Sequence, residues 1–363
     1  MSSRILAVVG ARPNFVKMAP ITEALAAHDG VSVRLLNTGQ HYDRALAGSF
    51  LERLGMGDPD RDLGVGSGSH AEQTAAVMEG VEADLGEHHA DLVLVAGDVN
   101  STMAAALAAA KLNVAVGHVE SGLRSGDWSM PEEVNRVVTD RVSDLLLCTS
   151  ADAVENLAAE GITEVVELVG NTMIDSLFRI LEATDRAAVL SAQDVEAGRF
   201  VLVTLHRPAL VDDPARLGEV LAVLGELAAR LPVLFPAHPR TVARLAEAGI
   251  EAPEGVRLAE PLEYADFIAL EAEARLVITD SGGLQEETSA LGVPCLTYRD
   301  NTERPVTVEL GTNTLVGVDP AALCEAALAA LATEPPESPP AIPLWDGGAG
   351  ARAAAAALSF LRR

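Results

Sequence analysis

Short, continuously apolar runs alternate with segments of helical spacing along most of the chain. In the first half these runs cover residues 5–9, 33–37, 92–96, 114–119, 145–148 and 165–169, and in the second half 200–204, 233–235 and 276–279. A further strand is expected within 292–297. A run that is apolar at every position is typical of a parallel strand buried on both faces. Strands that alternate with helices in this way predict an α/β protein with doubly wound, Rossmann-like parallel sheets.

The length and the restart of this rhythm near residue 200 predict two domains. A chain of 363 residues exceeds the size at which a single core usually stops growing. We expect an N-terminal Rossmann-like domain at 1–170 and a second at 171–344, with a hinge within 169–185. The Ala-rich terminal segment 345–363 is expected to form a helix that packs back on the first domain. Polar residues follow the strands in both halves, which predicts a ligand cleft between the domains.

Composition excludes several classes of partner. The net charge is −27, with 26 basic against 53 acidic residues, and a nucleic-acid or anionic-membrane surface would need a basic face. No apolar stretch is long enough to span a membrane, and the N-terminal apolar run is too short for a signal peptide. The three cysteines lie far apart without metal-ligand spacing, so a cytoplasmic protein is expected, with Cys148 and Cys295 as core residues.

The stretch 279–305 carries a candidate anion site. A buried strand leads directly into Asp280, Ser281, Gly282 and Gly283, and helical spacing follows. Glycine lets a ligand approach the backbone, and the first-turn N–H groups of a helix point at an anion. Arg304 would add a guanidinium nearby. An ordinary strand-to-helix turn is the alternative explanation.

Carboxylates follow two strands of the first half and precede a helix. Asp98 and Glu120 each end an apolar run, and Glu132 comes shortly after. Three carboxylates at strand ends of one domain suggest an acid/base cluster. The alternatives are structural: Asp98 could cap a helix, and Ser129 with Glu132 fits a capping box.

Basic residues also follow strands in both halves. Arg12 and Lys17 flank the first strand–helix turn, where a phosphate would meet backbone N–H groups. His206, Arg207 and His238 follow strands of the second half and would suit a diphosphate. A surface lysine and hydrogen-bonded structural histidines are the alternatives.

Eight segments in this order resemble the non-hydrolysing UDP-N-acetylglucosamine (UDP-GlcNAc) 2-epimerases over nearly the whole chain. They are GARPNFVKMAP, TGQHYD, GDVNST, HVESGLRSGDWSMPEEVNR, VGNTMID, TLHRP, PAHPR and TDSGGLQEETSALGVPCLTYRDNTERP. The resemblance implies two Rossmann-like domains of the GT-B type, an active site in the cleft, and a homodimer. It also implies interconversion of UDP-GlcNAc and UDP-N-acetylmannosamine (UDP-ManNAc) without a metal or nicotinamide cofactor. UDP would leave C1 by anti elimination as C2 loses its proton, and would add back to 2-acetamidoglucal.

The resemblance also implies roles for individual residues. The catalytic positions would be Asp98, Glu120, Glu132 and His206. The UDP-sugar would be bound by Arg12, Lys17, Arg136, Arg207, His238, Phe267, Ser281, Gly282, Gly283, Glu287 and Arg304, with Glu287 on the ribose.

The chain departs from the family pattern at two places. Leu210 stands where many members have an amide, and Asp43 stands where members activated by a second UDP-GlcNAc have a glutamine, although Gln40 is kept. Weak or absent substrate activation is therefore predicted. The rival functions are a GT-B glycosyltransferase, a hydrolysing epimerase that releases ManNAc and UDP, and a non-catalytic nucleotide-sugar sensor. The sequence leaves open the pathway served, including polysaccharide or secondary-metabolite synthesis, and whether the sugar is a modified derivative.

Overall fold

The structure is a computed structural model that describes residues 3–41, 51, 53–237 and 239–363. The chain divides into two compact units. Unit 1 comprises Met1–Arg179 and Pro343–Arg363, and unit 2 comprises Ile180–Ile342. Each unit is built on one parallel sheet with helices, and each is described separately.

The described part of unit 1 contains a seven-stranded parallel sheet in the order β3-β2-β1-β4-β5-β6-β7. The strands are β1 (Ser3–Ala11), β2 (Val31–His41), β3 (Arg61–Asp62), β4 (Leu92–Ala96), β5 (Ala115–Ser121), β6 (Leu145–Cys148) and β7 (Val166–Leu168). Every residue of β4 and β6 is buried, as expected for apolar runs covered on both faces.

The helices that cover this sheet are α1 (Arg12–Ala26), α2 (His70–Glu87), α3 (Asn100–Lys111), α4 (Pro131–Val142), α5 (Ala151–Ala159) and α6 (Thr172–Ala183). A capping box starts α2, because the Ser69 side chain accepts from the Glu72 N–H and Glu72 accepts from the Ser69 N–H. Helix α3 is rich in alanine, and its small buried side chains let it approach the sheet closely.

The described part of unit 2 contains a six-stranded parallel sheet in the order β10-β9-β8-β11-β12-β13. Its strands are β8 (Val201–Thr204), β9 (Val233–Pro236), β10 (Val256–Ala259), β11 (Leu276–Thr279), β12 (Cys295–Thr297) and β13 (Asn313–Leu315). Its helices are α7 (Arg186–Ala192), α8 (Pro208–Val211), α9 (Pro214–Ala228), α10 (Pro239–Ala248), α11 (Tyr264–Glu273), α12 (Gly282–Leu291), α13 (Pro305–Glu309) and α14 (Pro320–Ala332). Val201 and Val203 enter one core and Leu202 the other, so both faces of the sheet are covered.

The terminal helix, α15 (Ala349–Phe360), belongs to unit 1 and packs on α1. Gly350 permits the contact, since a Cβ there would lie 2.5 Å from the Cβ of Pro20. The Asp175 carboxylate accepts from the N–H groups of Ala349 at 3.1 Å and Gly350 at 2.7 Å, which caps the helix.

The predicted fold class is confirmed: both units are α/β folds with parallel sheets. The sequence did not indicate β3, β10 and β13, which are short strands at or near sheet edges, where apolar runs are not required. Most of the segment 169–185, predicted as a hinge, forms helix α6, and the division between the units falls inside that helix. Within the described residues, no helix has both the length and the apolarity to cross a membrane.

The strand order reverses direction between β1 and β4 in unit 1 and between β8 and β11 in unit 2. Open α/β sheets bind ligands beyond the carboxyl ends of their strands at such a switch point. The two strand-end clusters described next lie at these positions.

Candidate active site

Glu120 and Lys17 form a buried ion pair at the carboxyl edge of the unit 1 sheet. Glu120 is 6% exposed and Lys17 is 7% exposed, and Lys17 Nζ donates to Glu120 Oε2. The alternative of a surface lysine is therefore wrong. Removing one partner from a buried pair typically costs about 3–5 kcal/mol, because the other charge is left uncompensated.

The backbone at Glu120 is in the left-handed region, with φ of 66°. This conformation costs about 1–2 kcal/mol for a residue with a Cβ. The β5–β6 register shifts between Val119 and Ser121, so Glu120 lies at a bulge that re-aims its side chain. Such strain at a strand end is typical of a functional position.

Asp98 lies on the loop after β4 and pairs with α4. Its Oδ2 accepts from Arg136 Nη2 at 2.7 Å, and its side chain is 26% exposed. Helix α3 has Val99 at its N-cap without a side-chain cap. The capping explanation of Asp98 is therefore wrong, and the carboxylate is held by a buried guanidinium instead.

The two neighbouring glutamates of α4 differ in environment. The helix begins at Pro131 with Met130 at the N-cap, so the expected capping box of Ser129 and Glu132 is wrong. Glu132 is exposed. The hydroxyl of Ser129 donates to Asp127 instead.

Glu133, for which no role was predicted from the sequence, is the buried member of that pair. It is 2% exposed, pairs with Arg136, and accepts from the N–H groups of Ser125 and Gly126. Burial alone would raise the pKa of Glu133, but these hydrogen bonds and the Arg136 charge lower it on balance. Glu133 therefore anchors Arg136, which in turn holds Asp98.

The turn after β1 is organised by Asn14, another residue without a signal in the sequence. Its Oδ1 accepts from the N–H groups of Gly10 at 3.1 Å and Ala11 at 3.0 Å, and its Nδ2 donates to Ala96 O at 2.8 Å. These two N–H groups, expected to face a phosphate, are therefore already bonded. Arg12 begins α1 with an exposed side chain.

In unit 2, His206 and Arg207 follow β8 and contact Asp280 at the end of β11. Asp280 Oδ2 accepts from the N–H groups of His206 at 2.9 Å and Arg207 at 2.8 Å. His206 Nδ1 lies 3.0 Å from Asp280 Oδ1, and its side chain is about half exposed. The hydrogen bond that His206 donates to Asp280 raises the pKa of His206, although burial acts against it. Asp280 thus favours a protonated histidine at this edge.

The glycine pair begins α12 as the sequence indicated. Ser281 is its N-cap without a side-chain cap, and Gly282 and Gly283 form the first turn. Arg304 lies against this turn, because a Cβ on Gly282 would be 2.6 Å from Arg304 Nη1. Arg304 is also paired with Glu286, 2.8 Å from Nε to Oε2. The first-turn N–H groups of Gly282 and Gly283 and a buried guanidinium together suit an anion.

Glu287 lies one turn into α12 and is buried. It accepts from the Tyr264 hydroxyl at 2.5 Å. Glu271 of α11, which has no signal in the sequence, is fully buried against it. Burial raises the pKa of Glu271 well above its ordinary value, and the Glu287 charge adds to the effect. Burial also raises the pKa of Glu287, against the bonds from Tyr264 and Glu271.

The other residues singled out in the sequence lie in or against the cores, or outside the described residues. Phe267 of α11 is half-buried and packs against one core of unit 2. Leu210 is part of the other core. His238 lies outside the described residues. Burial raises the pKa values of Cys148 and Cys295 to about 12, which fits the expected core role.

Two doubly wound parallel sheets, each with polar residues at its switch point, define a two-domain α/β protein of the GT-B-like class. Residues 23–358 match the protein family described as UDP-N-acetylglucosamine 2-epimerase. A UDP-N-acetylglucosamine 2-epimerase of Methanococcus maripaludis is 39% identical over 323 residues, which cover 86% of this chain and 87% of the relative. A UDP-2,3-diacetamido-2,3-dideoxy-D-glucuronate 2-epimerase of Pseudomonas aeruginosa is also 39% identical, with 86% of this chain and 88% of the relative covered.

A solved structure gives the same result. The crystal structure of the Methanocaldococcus jannaschii UDP-GlcNAc 2-epimerase in complex with UDP-GlcNAc and UDP matches with a TM-score of 0.87. The two chains are 37% identical, and the match covers 98% of this chain and 99% of the other. The chain belongs to the UDP-N-acetylglucosamine 2-epimerase family and is an isomerase. The resemblance drawn from the sequence is thereby confirmed.

Proposed function

We propose that the protein interconverts UDP-GlcNAc and UDP-ManNAc by reversible epimerisation at C2. A base removes the C2 proton while UDP leaves C1 on the opposite face, which forms the double bond of 2-acetamidoglucal. UDP then adds back to C1 as C2 is protonated on its other face. The observation that carries the proposal is the pair of strand-end carboxylates, Asp98 and Glu120, each held by a buried cation in a chain of this family.

The chemistry requires proton transfer on both faces of the sugar, so more than one acid/base group is needed. Asp98 and Glu120 lie at the ends of adjacent strands, and we assign the proton transfers to them. Glu132, exposed at the start of α4, is the third carboxylate in the proposal. Lys17 and Arg136 bind the substrate and orient the carboxylates with which they pair.

Departure of UDP requires stabilisation of the negative charge that develops on the diphosphate. We propose that Arg12 and His206 supply it, with Ser281 at the N-cap of α12 and the first-turn N–H groups of Gly282 and Gly283. The N–H group of Ser281 itself donates to Thr279 Oγ1 at 2.9 Å. The raised pKa of His206 supports a cationic role. The other UDP-sugar contacts are assigned to Arg207, His238, Phe267, Glu287 and Arg304, with Glu287 on the ribose. The proposal requires that both sets of residues act on one substrate molecule.

Incubation with UDP-GlcNAc in D2O tests the reaction directly. We expect UDP-ManNAc to form and deuterium to enter C2 of the recovered sugar nucleotide. Asp98→Asn and Glu120→Gln should each lower kcat by about two to four orders of magnitude. Asp144→Asn is the matched control, since Asp144 is an exposed aspartate immediately before β6, at the opposite edge of the same sheet. Near-normal turnover in both Asp98 and Glu120 variants would contradict the acid/base assignment.

The same experiment separates the rival functions. A glycosyltransferase would leave C2 without deuterium when no acceptor is present. A hydrolysing epimerase would release free ManNAc, with UDP accumulating in proportion to turnover. A sensor would bind UDP-GlcNAc without turnover.

A modified sugar is the second candidate substrate, because the Pseudomonas aeruginosa relative is named for a diacetamido glucuronate derivative at the same identity. The two substrates share C2 chemistry and differ at C3 and C6. Parallel measurement of kcat/KM for both UDP-sugars decides between them. A preference for the glucuronate derivative would replace UDP-GlcNAc as the substrate without changing the C2 chemistry.

The likeness to the family also supports a homodimer in the cytoplasm as part of the proposal. Light scattering of the purified protein at micromolar concentration tests the oligomeric state. A monomer at that concentration would contradict it.

A further inference from the structure

A buried histidine of unit 1, His118, lies beneath the proposed catalytic carboxylates. Its side chain is 0% exposed. Nε2 lies 2.8 Å from the carbonyl oxygen of Gly97, and Nδ1 lies 2.6 Å from Asp140 Oδ1. No role was assigned to His118 or Asp140 from the sequence.

The two hydrogen bonds fix the orientation of the ring. A carbonyl oxygen can only accept, so Nε2 must carry a hydrogen. Asp140 also accepts at Oδ2 from the Gly122 N–H at 3.1 Å and from Arg124 Nη1 at 2.7 Å. Burial would raise the pKa of Asp140, but His118 and Arg124 lower it on balance. Asp140 is therefore a carboxylate, and the two ring nitrogens of His118 face the Asp140 carboxylate and the Gly97 carbonyl.

This buried pair contacts the backbone of both carboxylate loops. Gly97 immediately precedes Asp98, and Gly122 follows Glu120 by two residues. Asp140 lies on α4 one turn after Arg136, whose guanidinium holds Asp98. The loop after β4, the bulge of β5 and helix α4 therefore meet at His118 and Asp140.

Gly97 is closely packed against the Lys17–Glu120 ion pair, so its peptide has little room to move. Gly97 has φ of 71°, and a Cβ there would lie 3.1 Å from Lys17 Nζ and 3.4 Å from Glu120 Oε2. The carbonyl that His118 holds therefore belongs to a residue in contact with the Lys17–Glu120 pair. A rotation of this peptide would displace Asp98 relative to Glu120.

We infer that His118 is a positioning residue for the C2 proton transfers. It joins the loop that carries Asp98 to Asp140, because it bonds the Gly97 carbonyl on one side and the Asp140 carboxylate on the other. The inference rests on the proposed function, because it takes Asp98 and Glu120 as the reacting carboxylates. His118 does not exchange a proton with the substrate. It sets the distance between the two carboxylates, and a misplacement of about 1 Å is enough to cost about 100-fold in rate.

Two amide substitutions separate the two bonds. The amide of glutamine reaches as far as Nε2, so His118→Gln keeps the bond to Gly97. The amide of asparagine reaches only as far as Nδ1, so His118→Asn keeps the bond to Asp140 and loses the one to Gly97. We expect His118→Asn to lower kcat by about 10- to 100-fold and His118→Gln to be the milder variant, since losing an orienting hydrogen bond typically costs this much.

Three further readouts distinguish positioning from a general loss of stability. KM for UDP-GlcNAc and Kd for UDP should stay within about threefold of the parent, because only an interaction made in the transition state is weakened. The pH limits of the rate profile should not move, because His118 is not the acid or base. The isotope effect with C2-deuterated UDP-GlcNAc should rise as proton abstraction becomes slower.

Asp84→Asn is the matched control. Asp84 is also 0% exposed and paired with arginines, 2.9 Å from Arg34 and 3.5 Å from Arg61, but it joins α2 to β2 and β3 instead. The Asp84→Asn substitution should lower thermal stability and leave kcat unchanged. If His118→Asn does not fold, Asp140→Asn replaces it, since it keeps the side-chain shape, removes the charge, and should lower kcat at unchanged KM.

The outcomes are distinguishable. A His118→Asn kcat within twofold of the parent, or a loss no greater than that of Asp84→Asn, overturns the positioning role while the proposed function stands. Loss of one limb of the pH profile overturns it in favour of direct proton transfer by His118. An unsubstituted protein that neither epimerises nor exchanges C2 overturns the proposed function and the positioning role with it.

Discussion

Glu271 offers a test of the electrostatics in unit 2 that does not depend on activity. Both of its carboxyl oxygens are buried without a donor among the described residues, and the carboxyl lies against that of Glu287. A hydrogen bond between two carboxyls requires that one of them keep its proton. Replacing Glu271 with glutamine supplies a neutral donor of the same shape to Glu287 and removes the buried acid.

The expected gain follows from the burial. At pH 8 an ionised Glu271 would be a buried charge without a donor, and leaving a buried polar group unsatisfied costs about 1–3 kcal/mol, and more when it is charged. A domain of 150–250 residues shifts its Tm by about 2–4 °C per kcal/mol. Glu271→Gln should therefore raise the Tm of unit 2 by about 2–12 °C at pH 8.

The pH dependence has a definite sign. The pKa of Glu271 is raised in the folded state above its ordinary value of 4.5. The proton therefore stabilises the folded protein below the unfolded pKa, and this contribution is lost as the pH rises toward the folded pKa. The glutamine variant has no such loss. The difference in its free energy of unfolding from that of the parent should therefore be smallest near pH 4.5 and should grow with pH.

Calorimetry between pH 5 and pH 8 measures the effect. Glu273→Gln is the matched control on the same helix, because Glu273 is partly exposed and pairs with Arg186 at 2.6 Å. Its loss should cost less than about 1 kcal/mol with little pH dependence. A Glu271→Gln protein that is less stable than the parent at pH 8, or whose gain is independent of pH, would refute the reasoning.

Three further predictions concern the backbone, the histidine and cooperativity. Gly122 has φ of 80°, and a Cβ there would lie 2.3 Å from the carbonyl oxygen of Ala153, so Gly122→Ala should cost more than about 2 kcal/mol. Asp280→Asn should move the His206 limb of the kcat/KM profile to lower pH, because Asp280 raises the pKa of His206. UDP-GlcNAc titrations should give a Hill coefficient of about one, since Gln40 is buried and already accepts from the backbone and hydroxyl of Ser101.

Each of these has a clear contrary result. Gly126→Ala is the control for Gly122, since Gly126 has φ of 71° but open space around it; equal melting temperatures would remove the steric argument. An unchanged pH profile in Asp280→Asn would contradict the effect on His206. A Hill coefficient clearly above one would contradict the predicted lack of activation.

Much of the architecture could be predicted because it is encoded locally. Continuous apolar runs and the glycine pair at Gly282 and Gly283 each report on a few neighbouring residues, and they indicated the parallel sheets and the start of α12 correctly. The motif order was sufficient to identify the family. The catalytic and binding roles of individual residues stay predictions.

Local sequence patterns gave wrong or incomplete predictions where the contacts or burial of a side chain depend on residues distant in sequence. Ser129 and Glu132 have capping-box spacing, but the helix starts later and the serine bonds Asp127. The sequence alone could not separate exposed Glu132 from buried Glu133, because burial is decided by how α4 packs on the sheet.

The sequence by itself thus determined the alternation of strands and helices and the chemistry present at the strand ends. Only the tertiary structure decided which of these groups meet. Lys17 pairs with Glu120 across 103 positions of sequence, and His118 bonds Gly97 and Asp140 from two other segments. The physical reason is that spacing encodes backbone conformation over a few residues, whereas buried charge pairs form only when the sheet brings remote segments together.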